Sequence, residues 1–298
     1  MTHTNAQQSP AELADTRSED KLYARVAWRI LPLLIIGYGI AYIDRVNVSF
    51  AKLQMQDTLN FSEAAFGIGA GIMFIGYFLF ELPSNLLLER IGARKTLLRI
   101  MVLWGAAAVA SMFVATPVQF YIVRFLLGVF EAGFYPGVVL YLTYWFPLHR
   151  RGQALALFMS GPIAASIIAG PVSGATMKFL DGVYGLEGWQ WLYLTQGFPA
   201  LILGIAIYFR LDDKPSDAKW LSPSEREWLS SQAGQPANHG HGTVWPVMKE
   251  LFQDPRVLAL AFVDLLMICA AYSIAFSLPS LIKGWGVTDF LEIGMIAA

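Results

Sequence analysis

The sequence predicts an all-α membrane protein with several transmembrane helices. Of its 298 residues, 56% are hydrophobic and only 14% are charged, and apolar runs of membrane-spanning length recur along the chain. A soluble domain carries about 25% charged residues, whereas a helix needs about 20 mostly apolar residues to cross the hydrocarbon core of a bilayer. The composition therefore excludes a soluble globular protein and predicts that much of the surface faces lipid.

Seven apolar runs are long enough to cross the membrane, and we number them spans 1 to 7. They are predicted at Ile30–Ala51, Ala64–Leu88, Ile100–Ala115, Val118–Phe146, Gly152–Met177, Gly188–Phe209 and Val257–Ile282. An eighth run begins near Thr288 and continues to the last residue, Ala298. The first run is too long for a signal-peptide core and has no small-residue cleavage site, so we predict a retained helix.

The polar segments divide the chain into four parts. We predict an N-terminal tail, a six-helix bundle, a central linker and the start of a second bundle, at residues 1–25, 26–209, 210–255 and 256–298. Within the linker, Ser222–Glu225 is typical of a helix start, with a cap residue, a proline and a glutamate. The stretch Gln232–Gly242 is predicted to be flexible. The segment Val244–Phe252 is predicted to lie along the membrane surface as an amphipathic helix.

Basic residues in the short loops predict the orientation. The loops after spans 2 and 4 hold six of them, Arg90, Arg94, Lys95, Arg99, Arg150 and Arg151. The loops after spans 1 and 5 hold only Lys52 and Lys178, and the loop after span 3 holds none. Since short cytoplasmic loops are enriched in Lys and Arg, the N-terminus and the linker are predicted to be cytoplasmic.

Composition and motifs also exclude several functional classes. The formal net charge is −1 and no dense Lys/Arg patch occurs, which argues against nucleic acid as a partner. The single cysteine, Cys269, excludes an intrachain disulfide and a cysteine-rich metal site. No HExxH or GxSxG motif supports an enzyme, and no sizeable soluble domain supports a receptor. We predict no cofactor and no metal.

Six charged residues lie inside the predicted spans, four of them in spans 1 and 4, and a charge at the bilayer centre costs about 2.5 to 3.5 kcal/mol. Asp44 and Arg45 are adjacent in span 1, and Arg124 and Glu131 lie seven residues apart in span 4. Seven residues make nearly two helical turns, so Arg124 and Glu131 share a face. We predict that both arginines face one outer cavity, with Asp44 beside them and Glu131 at its floor. The alternative is that these charges are ion pairs that hold helices together.

Span 2 carries a polar stripe on an otherwise apolar helix. Tyr77, Glu81 and Asn85 are spaced by four residues and therefore lie on one face. Tyr77 is either a residue that lines a binding site or a bulky packing residue. Glu81 either takes part in transport or pairs with a residue of a neighbouring helix.

The loop after span 2 resembles a family signature. The run NLLLERIGARK, residues 85–95, is similar to the G-x-x-x-D-R-x-G-R-[RK] signature of the major facilitator superfamily. Glu89, Arg90, Gly92 and Arg94 match the signature positions, and Asn85 stands where that family usually has glycine.

Four longer segments resemble a narrower group, the anion:cation symporter family. They are YIDRVNVSFA, FELPSNLLLERIGARK, RFLLGVFEAGFYPG and GWQWLYLTQGFPA, in spans 1, 2, 4 and 6, and they are similar to bacterial phthalate, tartrate and sugar-acid permeases. The resemblance implies the major facilitator fold, two six-helix bundles that work by alternating access in the inner membrane. It also implies proton-coupled uptake of an organic anion by a protein that is monomeric at full length.

The resemblance assigns roles to individual residues. Asp44 and Glu131 match proton-coupling positions, Arg45 and Arg124 match residues that bind the substrate carboxylate, and Tyr77 matches a site-lining tyrosine. The exchange of organic anions, or their uniport, on the same fold stays open as an alternative.

The chain is short for a protein with the two six-helix bundles that this resemblance implies. The 298 residues accommodate one bundle, the linker, span 7 and a stub of span 8. We therefore expect a chain truncated at its C-terminus, which does not transport on its own.

Overall fold

A computed structural model describes residues 10–232 and 252–298, and every regular element in these ranges is helical. The described ranges contain ten α-helices, which are α1 (Pro10–Thr58), α2 (Glu63–Ile91), α3 (Ala93–Ala110), α4 (Pro117–Glu131), α5 (Phe134–Trp145), α6 (Leu148–Phe179), α7 (Gly188–Arg210), α8 (Pro223–Gln232), α9 (Pro255–Gly284) and α10 (Phe290–Ile296). Short 3₁₀ turns follow α3, α6 and α7. The predicted all-α class is confirmed.

In the part of the chain that the structure describes, seven segments are long and apolar enough to cross a membrane, in agreement with the seven predicted spans. Span 1 is α1, spans 2 and 3 are α2 and α3, span 4 comprises α4 and α5, and spans 5, 6 and 7 are α6, α7 and α9. The helix of span 1 begins at Pro10, well before the predicted apolar start at Ile30. It therefore runs through most of the segment predicted as a tail.

Close helix contacts at glycines build the bundle of α1 to α7. A methyl group on Gly128 of α4 would overlap the carbonyl oxygen of Met73 in α2. A methyl group on Gly161 of α6 would lie 2.5 Å from the carbonyl oxygen of Ile35 in α1. Glycine is needed at both positions because any side chain would push the backbones apart. These contacts pack α4 against α2 and α6 against α1.

Span 4 is not the continuous helix that the sequence predicts. Ala132 leaves helical geometry, with φ −53° and ψ 133°, and Gly133 adopts the left-handed conformation with φ 87°. A side chain at Gly133 would also overlap that of Ser84 in α2. Pro136 lies in the first turn of α5, where its missing N–H removes no helical hydrogen bond. Glu131 is consequently the last residue of α4.

The first part of the linker is docked onto one end of the bundle, which we call the N-terminal end. The predicted helix start is confirmed, since the Glu225 carboxylate accepts from the Ser222 backbone at 2.9 Å and the Ser222 hydroxyl accepts from the Glu225 N–H at 3.2 Å. Trp220 stacks on Trp145, with ring centroids 6.1 Å apart. Most of the predicted flexible stretch and of the predicted amphipathic helix, residues 233–251, lies outside the described residues.

Helices α9 and α10 contact the bundle at the opposite end. Lys283 donates to the Leu53 carbonyl at 2.9 Å, and Lys178 pairs with Asp289 at the start of α10. Gly170 in α6 and Gly294 in α10 approach so closely that a side chain on either would overlap the other's carbonyl oxygen. The hydrogen bond from Lys178 also holds the pKa of the exposed Asp289 carboxyl below its usual range. These contacts join α1 to α9 and α6 to α10.

Candidate functional site

An ion pair lies where α1, α4 and α9 meet. The Arg45 guanidinium contacts the Glu131 carboxylate through Nη2 at 2.5 Å and through Nε at 2.7 Å, both to Oε1. Arg45 also donates through Nη1 to the Tyr272 hydroxyl at 3.1 Å, and it lies over the Tyr77 ring at 5.1 Å. We call these four residues the Arg45 cluster.

The Arg45 cluster is open on one side. The Glu131 side chain is fully buried, whereas 15% of the Arg45 side chain is exposed. Among the described residues, Glu131 Oε2 has no hydrogen-bond partner. A second anion therefore has access to the guanidinium, while the carboxylate behind it keeps one free oxygen.

The break in span 4 places Glu131 in an unusual electrostatic position. The last carbonyl groups of a helix carry a partial negative charge, and Glu131 adds a carboxylate at the end of α4. Arg45 supplies the compensating positive charge. The stability of the carboxylate therefore depends on a residue that an incoming anion could also bind.

A second polar cluster is enclosed within the bundle. Asp44 is 1% exposed and accepts a hydrogen bond from Asn47 at 3.3 Å, and Oδ2 has no partner among the described residues. Arg124 is fully buried, and its Nε donates to the Gly69 carbonyl at 3.4 Å. Tyr193, Glu131 and Asp44 are electrostatic neighbours of Arg124. We call Asp44, Asn47, Arg124 and Tyr193 the Asp44 cluster.

The enclosed cluster has several polar atoms without partners. Among the described residues, both Nη atoms of Arg124 and the Tyr193 hydroxyl make no hydrogen bond. Buried polar groups are generally satisfied by protein or by ordered water. These atoms of the Asp44 cluster are therefore suited to bind water.

The hydrogen bonds divide the four charges of spans 1 and 4 into two groups, and Glu131 is an electrostatic neighbour of both Asp44 and Arg124. Adjacent residues of an α-helix point about 100° apart, so Asp44 faces the interior of the bundle while Arg45 faces α9. Arg45, Glu131 and Tyr77 come together as predicted. Arg124 lies apart from Arg45, in the enclosed cluster. Tyr272 contacts Arg45 from the mostly apolar helix α9. No stripe or motif in the sequence marks Tyr272 as a site residue.

The signature loop joins α2 to α3 through Gly92, whose φ of 88° favours glycine. Asp213 in the linker accepts a hydrogen bond from the Arg94 N–H at 2.8 Å. The Arg94 guanidinium donates twice to the Tyr208 carbonyl, at 2.7 and 3.0 Å. Glu89 and Arg90 are exposed. The loop therefore fastens the ends of α3 and α7 to the linker.

A cavity of about 460 Å³ lies between α1, α2 and α9, next to the Arg45 cluster. Tyr272 belongs to both, and the cavity extends to the Lys52–Glu63 ion pair, 2.5 Å long, at the opposite end of the bundle. Phe74 and Phe276 contribute aromatic walls. In the described ranges, no group of three His, Cys, Asp or Glu side chains is arranged to hold a metal ion.

The sequence matches the model of a known family, the Major Facilitator Superfamily, over residues 34–298. The chain belongs to the Major Facilitator Superfamily. It is 44% identical over 277 residues to a metabolite transport protein, NicT, of Pseudomonas putida, covering 93% of this chain and 63% of that protein. It is also 44% identical over 280 residues to a protein of Agrobacterium vitis that is named as a tartrate transporter, covering 94% and 62%.

The solved structures agree on the fold. A bacterial homolog of the human lysosomal transporter Spinster superposes with a TM-score of 0.72 at 18% sequence identity, covering 91% of this chain and 58% of that one. The family and its named relatives are transporters and not enzymes. The chain spans less than two thirds of the length of these relatives.

Proposed function

We propose that this chain belongs to a secondary transporter that takes up an organic anion together with protons. The observation that carries the proposal is the Arg45–Glu131 ion pair, in which a buried carboxylate and a partly exposed guanidinium meet beside an open cavity. The name of the tartrate transporter relative supports a carboxylate as the substrate. A carboxylate fits a guanidinium because the planar fork can hold both oxygens.

The substrate and Glu131 compete for Arg45 in this proposal. A substrate carboxylate that binds Arg45 removes the partner of Glu131, which is then left as a buried anion at the negative end of α4. Taking up a proton relieves that cost. Proton and anion therefore bind together, and linkage requires each to favour the other.

Asp44 is the second proposed proton-coupling residue. It shares span 1 with Arg45, so a change in its charge acts on the same helix. Arg124 is proposed to bind substrate on the basis of the resemblance. In the present arrangement it lies in the enclosed cluster, where it balances Asp44.

We further propose that the N-terminal end of the bundle faces the cytoplasm of a bacterium and that the protein lies in the inner membrane. The loop arginines at this end support the orientation. The signature residues Glu89, Arg90, Gly92 and Arg94 are proposed to act in gating, because the loop that contains them fastens the linker to α3 and α7.

Transport by the Glu131→Gln variant tests the proposal. The full-length transporter that contains this chain, in liposomes, should accumulate tartrate under an inward proton gradient, and Glu131→Gln should abolish accumulation while tartrate exchange across the membrane continues. Asp264→Asn is the matched control. It neutralises an exposed carboxylate of α9, eight residues before Tyr272, about 12 Å along the helix, and should leave accumulation unchanged.

Two results would contradict the proposal. If Glu131→Gln accumulated tartrate like the wild type, Glu131 would not couple protons. If the wild type exchanged tartrate but ignored the proton gradient, the protein would be an anion exchanger or a uniporter. Gluconate and benzoate in parallel would define the class of acid, with glucose as the neutral control.

A further inference from the structure

A second cavity lies at the N-terminal end of the bundle, away from the Arg45 cluster. It measures about 390 Å³ and lies between α1 and the first turns of α6. Polar side chains line one part of this α1/α6 cavity and apolar side chains the other, among them Asp20, Tyr23, Leu31, Arg150, Gln153 and Leu157.

The polar part of the α1/α6 cavity contains hydrogen-bond donors that have no partner among the described residues. Tyr23 is 4% exposed, and its buried hydroxyl makes no hydrogen bond within the described residues. The Arg150 guanidinium lies 4.5 Å from the centroid of the Tyr23 ring, and its buried Nε is likewise unpartnered there. Arg150 belongs to the first turn of the 32-residue helix α6, and the positive end of the helix dipole favours an anion. The donor set suits a phosphate group.

The depth of the cavity matches the headgroup layer of a membrane. The predicted hydrocarbon boundary of span 1 is near Ile30, and Tyr23 lies seven residues before it, about 10 Å along the helix. Leu31, at the boundary, lines the same cavity. Because headgroups occupy the layer just outside the hydrocarbon core, the cavity extends from that layer to the ends of the lipid tails.

The apolar part continues into an exposed surface. Leu157 is 46% exposed, and Ile163, further along α6, is 66% exposed. Trp28, at the headgroup end of α1, is 81% exposed, as is common for tryptophan at a membrane interface. A free phosphate ion would fill only the polar part of the cavity, whereas a phospholipid would also cover this apolar strip.

We propose that the α1/α6 cavity binds one anionic phospholipid, with its phosphate on Arg150 and the Tyr23 hydroxyl. Asp20 now pairs with Arg150 at 2.5 Å. The Asp20 side chain is 65% exposed, so it can move into water when the lipid phosphate takes its place. The tails then lie along Leu31 and Leu157. Since Tyr23 also contacts Trp228 of α8, with ring centroids 5.7 Å apart, the lipid would brace the docked linker.

Lipid retention measured by native mass spectrometry tests this proposal. The detergent-purified protein is mixed with phosphatidylglycerol or with phosphatidylcholine of the same tails. The wild type should retain phosphatidylglycerol selectively. Arg150→Gln should weaken that retention about fivefold, and Tyr23→Phe about threefold. Lys219→Gln removes an exposed positive charge outside the cavity and should not change it.

A gain-of-binding variant guards against loss through misfolding. Asp20→Asn removes the carboxylate that competes with the lipid and should strengthen phosphatidylglycerol retention about threefold. Equal retention of the two lipids, or an Asp20→Asn variant without any gain, would overturn the proposal. If inorganic phosphate alone protected the wild type from heat as well as phosphatidylglycerol does, the cavity would be an anion site and the assignment to lipid would be wrong.

Discussion

The Arg45 cluster and the Asp44 cluster start from adjacent residues of one helix, yet they differ in almost every physical respect. In the Arg45 cluster the cation makes two hydrogen bonds and one further ion-pair contact to groups on two other helices, and it is partly exposed. In the Asp44 cluster the cation is fully buried, and only its Nε has a protein partner in the described ranges. The first cluster crosses from the bundle to α9, and the second stays inside the bundle.

This difference separates two uses of buried charge. A partly exposed guanidinium can exchange its carboxylate partner for a ligand. An enclosed guanidinium must keep its neighbours, because removing a buried counter-charge leaves the other charge without compensation. We therefore expect substitutions in the Arg45 cluster to change anion binding first and substitutions in the Asp44 cluster to change stability first.

The largest effect should come from Arg45→Gln. Hydrogen bonds to charged groups contribute about 1.5 to 3 kcal/mol, so tartrate affinity should fall between about tenfold and a hundredfold. Isothermal titration of the purified protein measures this change. Lys178→Gln removes a positive charge at the opposite end of the bundle and serves as the control. An unchanged affinity in Arg45→Gln would remove Arg45 from the binding site.

Arg124→Gln should separate the two clusters. We expect a lower unfolding temperature and a loss of tartrate affinity that is smaller than in Arg45→Gln, since the Arg124 side chain is fully buried. The double variant Asp44→Asn/Arg124→Gln should recover part of the stability, by about 0.5 to 3 kcal/mol for residues that share a network. A loss of affinity as large as that of Arg45→Gln, at unchanged stability, would contradict this separation of the two clusters.

The smallest effect should come from Tyr272→Phe, which removes one hydroxyl from the Arg45 cluster. A single hydrogen bond contributes about 0.5 to 1.5 kcal/mol, so tartrate affinity should change between about twofold and tenfold. Tyr42→Phe, on another tyrosine near α9 that does not contact Arg45 in the described structure, is the matched control. Equal losses of tartrate affinity in both variants would mean that the hydrogen bond between Tyr272 and Arg45 does not contribute to binding.

Much of this fold could be predicted from sequence because membrane spans have a strong signal. Length and apolarity locate all seven spans, and the Ser222–Glu225 pattern locates the start of α8. The grouping of Arg45 with Glu131 and Tyr77 could be predicted from the resemblance. Gly133 and Pro136 also indicate a break in span 4, because both residue types are unfavourable inside a helix. An apolar run of that length nevertheless favours one continuous helix.

Other features depend on tertiary contacts that the sequence does not encode locally. The separation of Asp44 from Arg45 follows from the rotation of α1 relative to its neighbours, which residue spacing within one helix does not fix. Tyr272 contacts Arg45 only because α9 packs against α1. The N-terminal extension of α1 is too polar to resemble a membrane span, although Leu22, Val26 and Ile30 recur at helical spacing and are buried.

The number of protons taken up on tartrate binding tests the central claim most directly. Isothermal titration near neutral pH, in two buffers of different ionisation enthalpy, gives this number. If tartrate displaces Glu131 from Arg45, the wild type should take up protons on binding and Glu131→Gln should take up fewer. Proton uptake that is absent from the wild type, or unchanged in Glu131→Gln, would contradict the account.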